Sequence, residues 1–179
     1  HTAEWAGRMT EELIDTLSRK GYNLIIEGTL RTAEVPTKTA TLLRERGYAV
    51  SLALMAVKPE ISLISCQIRY EEMRIAGTVP RATDPAHHNK IVHDIVGNLA
   101  VLERSGLFDE VFLYNRARAC LFPREGERCP ASEVLHEALF GGWSDEERQH
   151  KEALEIRLAR LRARADARDA EARRRFFER

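Results

Sequence analysis

The chain has 179 residues, which is long enough for one domain with a hydrophobic core. Its 28 Lys and Arg balance 28 Asp and Glu, and the absence of net charge argues against a nucleic-acid binder driven by bulk charge. No apolar run approaches the ~20 residues of a membrane span. The three cysteines form no CxxC pair, and we expect a cytoplasmic protein in a reducing compartment.

Helix and strand patterns alternate along the first part of the chain. Apolar residues at helical spacing predict a helix over residues 3–20. The short apolar run at 24–26 predicts a buried strand that ends at Glu27. A helix is predicted over about 34–46, and the longest apolar run, within 48–57, predicts a central strand buried on both faces. Such alternation indicates an α/β layered fold.

The second part of the chain continues this alternation. Its predicted elements are helices over about 59–76 and 85–105, strands at 110–114 and 119–122, a short helix at 131–139 and a long helix from 144 to the end of the sequence. Residues 77–85 are rich in turn formers and predict a loop. The last helix is highly charged, and we expect it to be solvated and stabilised by ion pairs four residues apart.

Polar side chains follow the first predicted strand directly. Glu27, Thr29 and Arg31 lie at its carboxyl end, where Gly28 allows the backbone to turn. Ligands of open α/β sheets bind at the carboxyl ends of strands. A carboxylate, a hydroxyl and a guanidinium are suited to a polar, hydroxylated or phosphorylated ligand. An ordinary polar turn at a strand end explains the same residues equally well.

Two arginines flank the loop that follows the third predicted helix. Arg69 is in the middle of that helix and Arg81 is in the loop. Each alone would be an ordinary exposed side chain. Together, around a segment rich in Gly and Pro, they resemble the lid of a phosphoryl-transfer enzyme, in which fixed guanidiniums stabilise the charge on the transferred group.

The remaining candidate residues have weaker support. His87, His88 and His93 fall on one predicted helix, but none of their spacings is three or four, so we expect surface or capping roles and no metal site. Asn115 and Arg116 follow a predicted strand and either line a purine pocket, on the adenine side of a nucleotide, or form a polar turn.

One motif of phosphoryl-transfer enzymes does not occur in the sequence. The 179 residues contain no GxxxxGK[ST]. Enzymes of the P-loop type use that strand–loop–helix to cradle nucleotide phosphates, with its Lys on the phosphates and its hydroxyl on Mg²⁺.

With these residues laid out, the chain resembles the zeta toxin family, the kinase component of zeta-type toxin–antitoxin modules, and in particular its pneumococcal-like branch. The similarity runs from near residue 1 to about residue 150 in one order. The matching segments are GYNLIIEGTLRT (21–32), VP (35–36), KTA (38–40), GY (47–48), KPE (58–60), IRYE (68–71), RAT (81–83), HH (87–88), VGNL (96–99), LF (107–108), FG (140–141) and WS (143–144).

The resemblance implies a P-loop kinase-like fold, with a central sheet flanked by helices. It implies that ATP and Mg²⁺ serve to phosphorylate the sugar 3′-hydroxyl of UDP-N-acetylglucosamine, which inhibits cell-wall synthesis. It also implies a cognate antitoxin that blocks the nucleotide site. From the charge balance and the lack of a long apolar run we expect no nucleic-acid or membrane partner.

The resemblance further implies roles for individual residues. The positions that match contacts to the sugar nucleotide are Glu11, Glu27 and Thr29, with Arg31 in the same loop. The two phosphate-contacting arginines of the family's lid match Arg69 and Arg81.

The family's Walker A loop and catalytic Asp lie upstream of the region that matches His1. We therefore expect residues 1–143 to be the C-terminal portion of a kinase-like domain, with a lid around 69–84, and residues 144–179 to be a charged helix. Such a portion would be catalytically incomplete alone, and loss of a first strand would expose a sheet edge and favour instability or self-association. The alternative is a non-catalytic remnant that binds a sugar nucleotide or an antitoxin.

Overall fold

Six helices and three strands form the part of the chain that the computed structural model describes, residues 2–126 and 128–177. In chain order they are α1 (Thr2–Arg19), α2 (Glu34–Glu45), β1 (Ser51–Met55), α3 (Pro59–Ala76), α4 (Pro85–Arg104), β2 (Glu110–Tyr114), β3 (Cys120–Phe122), α5 (Ala131–Phe140) and α6 (Asp145–Phe177). All six predicted helices are confirmed with closely similar bounds. The elements form the expected α/β layered fold with a long C-terminal helix.

The ends of α3 and α4 follow from local sequence. Pro59 begins α3, where its missing N–H is not needed, and Gly77 ends the helix in the left-handed region with φ of 72°. Asp84 precedes α4 and accepts a hydrogen bond from the Ala86 N–H at 3.0 Å. These two caps fix both ends of the connecting loop.

The described sheet has the strand order β1–β2–β3. β1 and β2 are parallel, with Ser51 opposite Glu110, and β3 pairs antiparallel with β2. The core joins this sheet to α4 and α5 through Leu99, Leu113 and Leu135, which are completely buried. The strands at 110–114 and 119–122 are therefore confirmed, and they carry the centre of the core.

The prediction of a strand that ends at Glu27 is wrong. Residues 22–30 form no regular secondary structure, and Ile25 is 97% exposed. A strand exists only when a neighbouring strand accepts and donates its backbone hydrogen bonds. None of the described strands pairs with this segment, and Ile25 and Ile26 stay exposed to solvent.

The prediction that residues 48–57 form a central strand buried on both faces is also wrong. The strand itself is confirmed as β1, but it lies at the edge of the described sheet. Its alternate residues Ser51, Ala53 and Met55 are exposed, and only Leu54 is buried. The burial of a strand depends on what packs against it, which its own composition does not specify.

The C-terminal helix α6 packs along α3 and is less solvated than predicted. Leu158 and Ala165 on its apolar stripe are buried. An ion pair four residues apart is present between Lys151 and Glu155 at 2.6 Å, as expected. Other charges on α6 pair across to α3, as between Arg157 and Glu72. Among the described helices, none combines the length and apolarity needed to cross a membrane.

Candidate functional site

The segment between α1 and α2 presents the predicted polar residues to solvent. Glu27, Thr29 and Arg31 are all exposed. Between them, Leu30 adopts a left-handed conformation with φ of 51° and packs its side chain against the core. Because a left-handed leucine is unfavourable by itself, this conformation depends on the contacts that hold it.

One of those contacts comes from α4. The Asn98 side-chain amide donates a hydrogen bond from Nδ2 to the Leu30 carbonyl at 2.9 Å. Leu30 and Asn98 thus anchor the middle of the segment, while Thr29 and Arg31 on either side face outward. Sequence reasoning did not assign a role to Asn98, although it lies in the matching segment VGNL.

Glu11 lies on α1 and contributes an exposed carboxylate. Its Oε2 is 3.4 Å from Nζ of Lys38 on α2, and both side chains are more than two-thirds exposed (68% and 73%). An ion pair this exposed stabilises the fold little, so the carboxylate stays accessible to a ligand. Lys38 is also in a matching segment, KTA.

The two predicted lid arginines are both exposed and differ in their surroundings. Arg69 on α3 lines a cleft of about 450 Å³. Arg81 lies in the loop between α3 and α4 and does not line that cleft. Within the described residues, neither guanidinium forms an ion pair with a carboxylate. Both are therefore available to bind an anion.

The cleft beside Arg69 is formed by α3, α6 and the turn after β2. The lining residues that carry polar or charged groups are Ser62, Ser65, Arg69, Glu72, Arg116 and Arg157. Three guanidiniums against one carboxylate make this cleft electropositive. The structure thus brings together Arg69 and Arg116, which the sequence analysis had placed in separate groups.

Asn115 has a structural contact in the hairpin between β2 and β3. Its Oδ1 accepts a hydrogen bond from the Ala119 N–H at 2.9 Å, and its backbone N–H donates to the Ala119 carbonyl at 3.0 Å. These contacts are those of the polar turn considered above. A role of Asn115 beside adenine stays a prediction.

The expectation of a surface or capping role is wrong for His88. Only 9% of this residue is exposed, and its Nε2 lies 3.1 Å from Oγ of Ser62, so it joins α4 to α3. His87 and His93 are exposed, as expected. In the described part of the chain, no three His, Cys, Asp or Glu side chains are grouped so that they could hold a metal ion.

Arg74 connects α3 to the C-terminal helix through carboxylates. Its guanidinium lies 2.6 Å from Asp169, 3.1 Å from Asp166 and 2.7 Å from Glu71. The hydrogen bonds that Arg74 donates to Asp169, then Asp166, then Glu71 raise the pKa of Arg74 further above its ordinary value. The same bond with Arg74 lowers the pKa of Asp169. Glu71 is buried, and this network supplies its counter-charge.

Lys58 contacts two of the other segments on which the resemblance rests. This side chain is only 3% exposed, and its Nζ donates to the Gly141 carbonyl at 2.9 Å. The ammonium also lies 5.8 Å from the centroid of the Trp143 ring, within range of a cation–π interaction. One set of contacts therefore joins the matching segments KPE, FG and WS, and it ties the start of α3 to the link between α5 and α6.

Comparison with known proteins identifies close relatives. The family model described as Zeta toxin matches residues 1–127. The toxin PezT of Streptococcus pneumoniae serotype 4 is 45% identical over 162 residues, which are 90% of this chain and 64% of PezT. Toxin zeta of Enterococcus hirae is 42% identical over 123 residues, 68% of this chain and 43% of that toxin.

A solved structure agrees with these matches. A chain from the PezAT chromosomal toxin–antitoxin system of Streptococcus pneumoniae superposes with a TM-score of 0.77 at 44% identity, over 88% of this chain and 62% of that chain. The present chain thus spans under two thirds of the length of these relatives. The matches confirm the resemblance seen in the sequence, including the pneumococcal-like branch. The chain belongs to the zeta toxin family, whose members are toxins of toxin–antitoxin systems.

Proposed function

We propose that the complete protein is a kinase that transfers phosphate from ATP, with Mg²⁺, to the sugar 3′-hydroxyl of UDP-N-acetylglucosamine and thereby inhibits cell-wall synthesis. The observation that carries this proposal is the exposed segment around Glu27 and Thr29. It is anchored from behind by Leu30 and Asn98, and it lies in the longest segment shared with the family.

One element that P-loop enzymes use to hold ATP and Mg²⁺ does not occur in this chain. The 179 residues contain no GxxxxGK[ST], the loop that holds phosphates and Mg²⁺ in P-loop enzymes. The described residues also include no group of three side chains suited to a metal ion. We therefore assign to this chain the contacts to the sugar nucleotide and to the transferred phosphate.

The carboxylates and the hydroxyl are suited to the sugar nucleotide. Carboxylates such as Glu27 and Glu11 accept hydrogen bonds from sugar hydroxyls and ring amides, and Thr29 can both donate and accept. Arg31, in the same segment, is suited to a phosphate of the diphosphate group. These contacts would hold the sugar in the orientation that the transfer requires.

Arg69 and Arg81 are suited to the phosphate that is transferred. Charge spreads over the equatorial oxygens of the phosphoryl group in the transition state, and guanidiniums stabilise that charge. Neither guanidinium is occupied by a carboxylate in the described structure. We therefore expect them to contribute to the rate more than to folding.

We also propose that a cognate antitoxin binds the complete protein and covers its nucleotide site. The solved structure to which this chain is similar is of a toxin–antitoxin system, PezAT. Neither nucleic acid nor a membrane is required in this proposal.

A second candidate is a non-catalytic protein that binds a sugar nucleotide or an antitoxin. It requires only polar side chains that are exposed in this chain, such as Glu11 and Glu27. The kinase and a non-catalytic protein that binds the sugar nucleotide make the same prediction about substrate binding and opposite predictions about phosphoryl transfer, so the same protein tests both.

The first test measures binding of UDP-N-acetylglucosamine by isothermal titration calorimetry. Glu27→Ala should abolish measurable binding, because the variant loses a charge-assisted hydrogen bond at the centre of the segment. Glu45→Ala is the matched control, since Glu45 is an exposed glutamate at the C-terminal end of α2. Unchanged affinity in Glu27→Ala would contradict the kinase candidate and a non-catalytic protein that binds the sugar nucleotide.

The second test measures transfer from γ-labelled ATP to UDP-N-acetylglucosamine by the complete gene product. We expect Arg69→Ala to slow transfer by about 10²–10³, the usual effect of losing one group that stabilises transition-state charge. Arg104→Ala removes an exposed arginine at the end of α4 and should leave the rate unchanged. Binding without any transfer would favour the non-catalytic candidate.

A further inference from the structure

We propose that Arg157, on the C-terminal helix, keeps Arg69 free to bind phosphate by occupying the carboxylate of Glu72. The inference rests on the proposed role of Arg69 in phosphate binding. It assigns a positioning role to a residue outside the part of the chain that matches the family model, residues 1–127.

The spacing of Arg69 and Glu72 creates the need for such a residue. The two are three positions apart on α3, so they lie on the same side of the helix, where an ion pair between them can form. Both side chains line the same cleft. A pair between them would neutralise Arg69 and take up the donors that a phosphate would need.

The structure shows a different pairing. Oε1 of Glu72 lies 2.5 Å from Nη2 of Arg157 on α6. Arg69 has no carboxylate partner within the described residues. Among the described residues, the one carboxylate that lines the cleft is thereby occupied by Arg157, which itself lines the cleft.

The neighbouring glutamate is occupied as well. Glu71 is buried, with Arg74 at 2.7 Å and Nε of Arg162 on α6 at 3.9 Å. Both acidic residues that follow Arg69 by less than one helical turn therefore face cations of α3 and α6. Among the described residues, the packing of α6 against α3 thus leaves Arg69 without a carboxylate partner, and Arg116 also lines the cleft without one.

If the pair between Arg157 and Glu72 had a purely structural role, breaking it would lower the melting temperature and leave anion binding by Arg69 unchanged. Their side chains are 58% and 46% exposed, and ion pairs with this exposure contribute little to folding stability. A change that breaks the pair should thus alter anion binding by Arg69 while the melting temperature stays nearly constant.

The experiment uses the 179-residue chain and inorganic tripolyphosphate as the anion, titrated by calorimetry at low ionic strength, where exposed charges are least screened. We expect Arg157→Gln to weaken binding about two- to fivefold, the range of a surface ion pair. Arg157→Lys keeps the cation and should bind nearly as the parent chain does. Adding Glu72→Gln to Arg157→Gln should restore binding, because no competing carboxylate remains.

Loss of the Arg157 charge could also weaken anion binding directly, and a double-mutant cycle separates the two effects. If Arg157 acts through Arg69, the Arg157→Gln change should have almost no effect in a chain that already carries Arg69→Ala. An equal loss of affinity in both backgrounds would overturn the inference. Equal affinity of the parent chain and of Arg69→Ala for tripolyphosphate would overturn it as well.

Arg160→Gln is the matched control, since Arg160 is exposed on the same helix and does not line the cleft. The result of the double-mutant cycle can be separated from the result of the phosphoryl-transfer assay that tests the proposed function. Transfer to UDP-N-acetylglucosamine with an additive cycle would refute only the role of Arg157. A non-additive cycle without any transfer would refute only the proposed kinase activity.

Discussion

Among single residues, Asp109 shows how one carboxylate joins three elements. It precedes β2, its Oδ1 lies 2.8 Å from Nη1 of Arg44 on α2, and its Oδ2 accepts the Val50 N–H before β1 at 2.8 Å. The hydrogen bond with Arg44 and then that from Val50 lower the pKa of Asp109 below its ordinary value of 3.8. The ionised form is therefore favoured more in the folded than in the unfolded chain.

This shift predicts how stability depends on pH. The contribution of Asp109 is fully present above pH 3.8 and is lost as the pH falls through the lower folded pKa. We expect Asp109→Asn to lower the melting temperature at pH 7, and the difference from the parent chain to shrink as the pH falls below 3.8. Thermal unfolding followed by circular dichroism across pH 2.5–7 would measure this. A constant difference over that whole interval would contradict the prediction, and Glu152→Gln, at an exposed position of α6, is the control.

At the scale of elements, α5 has its start fixed by a residue from another helix. Glu103, near the end of α4, accepts the Ala131 N–H at 2.6 Å and the Ser132 N–H at 3.0 Å. The residue before α5 is Pro130, which makes no side-chain cap. The first N–H groups of a helix need acceptors, and here a carboxylate supplies them while interacting favourably with the helix dipole.

We expect Glu103→Ala to destabilise the chain by about 1–2 kcal/mol, the cost of losing a good N-cap. Glu103→Gln keeps one acceptor oxygen and should cost less. Urea unfolding of the two variants would give both values, with Arg104→Ala as a control for an exposed position in the same turn. If Glu103→Ala unfolded at the same urea concentration as the parent chain, another group would have to satisfy the start of α5.

The helices were predictable from sequence and some strand environments were not, for a physical reason. Helical periodicity is a property of the helix's own sequence, and Pro59, Gly77 and Asp84 lie at the helix ends that they specify. The apolar residues 24–26 have no neighbouring strand among the described strands. The sequence of a segment does not specify whether another strand lies beside it. The same limit applies to β1, whose apolar sequence predicted burial on a face that is open in the described structure.

The candidate site shows this limit at the scale of the whole molecule. The sequence supplied Arg69, Arg81 and the segment around Glu27. It did not supply the position of α6 on α3, which determines the partners of Glu72 and so the charge around Arg69. It also did not reveal the contact of Asn98 with the Leu30 carbonyl, because those residues are far apart in the chain.

The surface of the whole molecule carries an apolar stripe without cover among the described residues. Trp5, Met9 and Leu13 recur every four residues on α1 and are 64%, 61% and 57% exposed. Ile25, in the segment that follows α1, is 97% exposed. Apolar side chains grouped in this way favour association, whereas single ones are common on soluble surfaces.

We therefore expect the isolated 179-residue chain to self-associate with increasing concentration, because association removes these apolar side chains from water. Sedimentation velocity at several concentrations would measure it, and Met9→Lys with Ile25→Asp should shift the chain toward monomer. Val79→Lys is the control, since Val79 is 85% exposed in the loop before α4 and has no apolar stripe around it in sequence. A chain that remains monomeric throughout, or an equal response to Val79→Lys, would show that the stripe on α1 does not drive association.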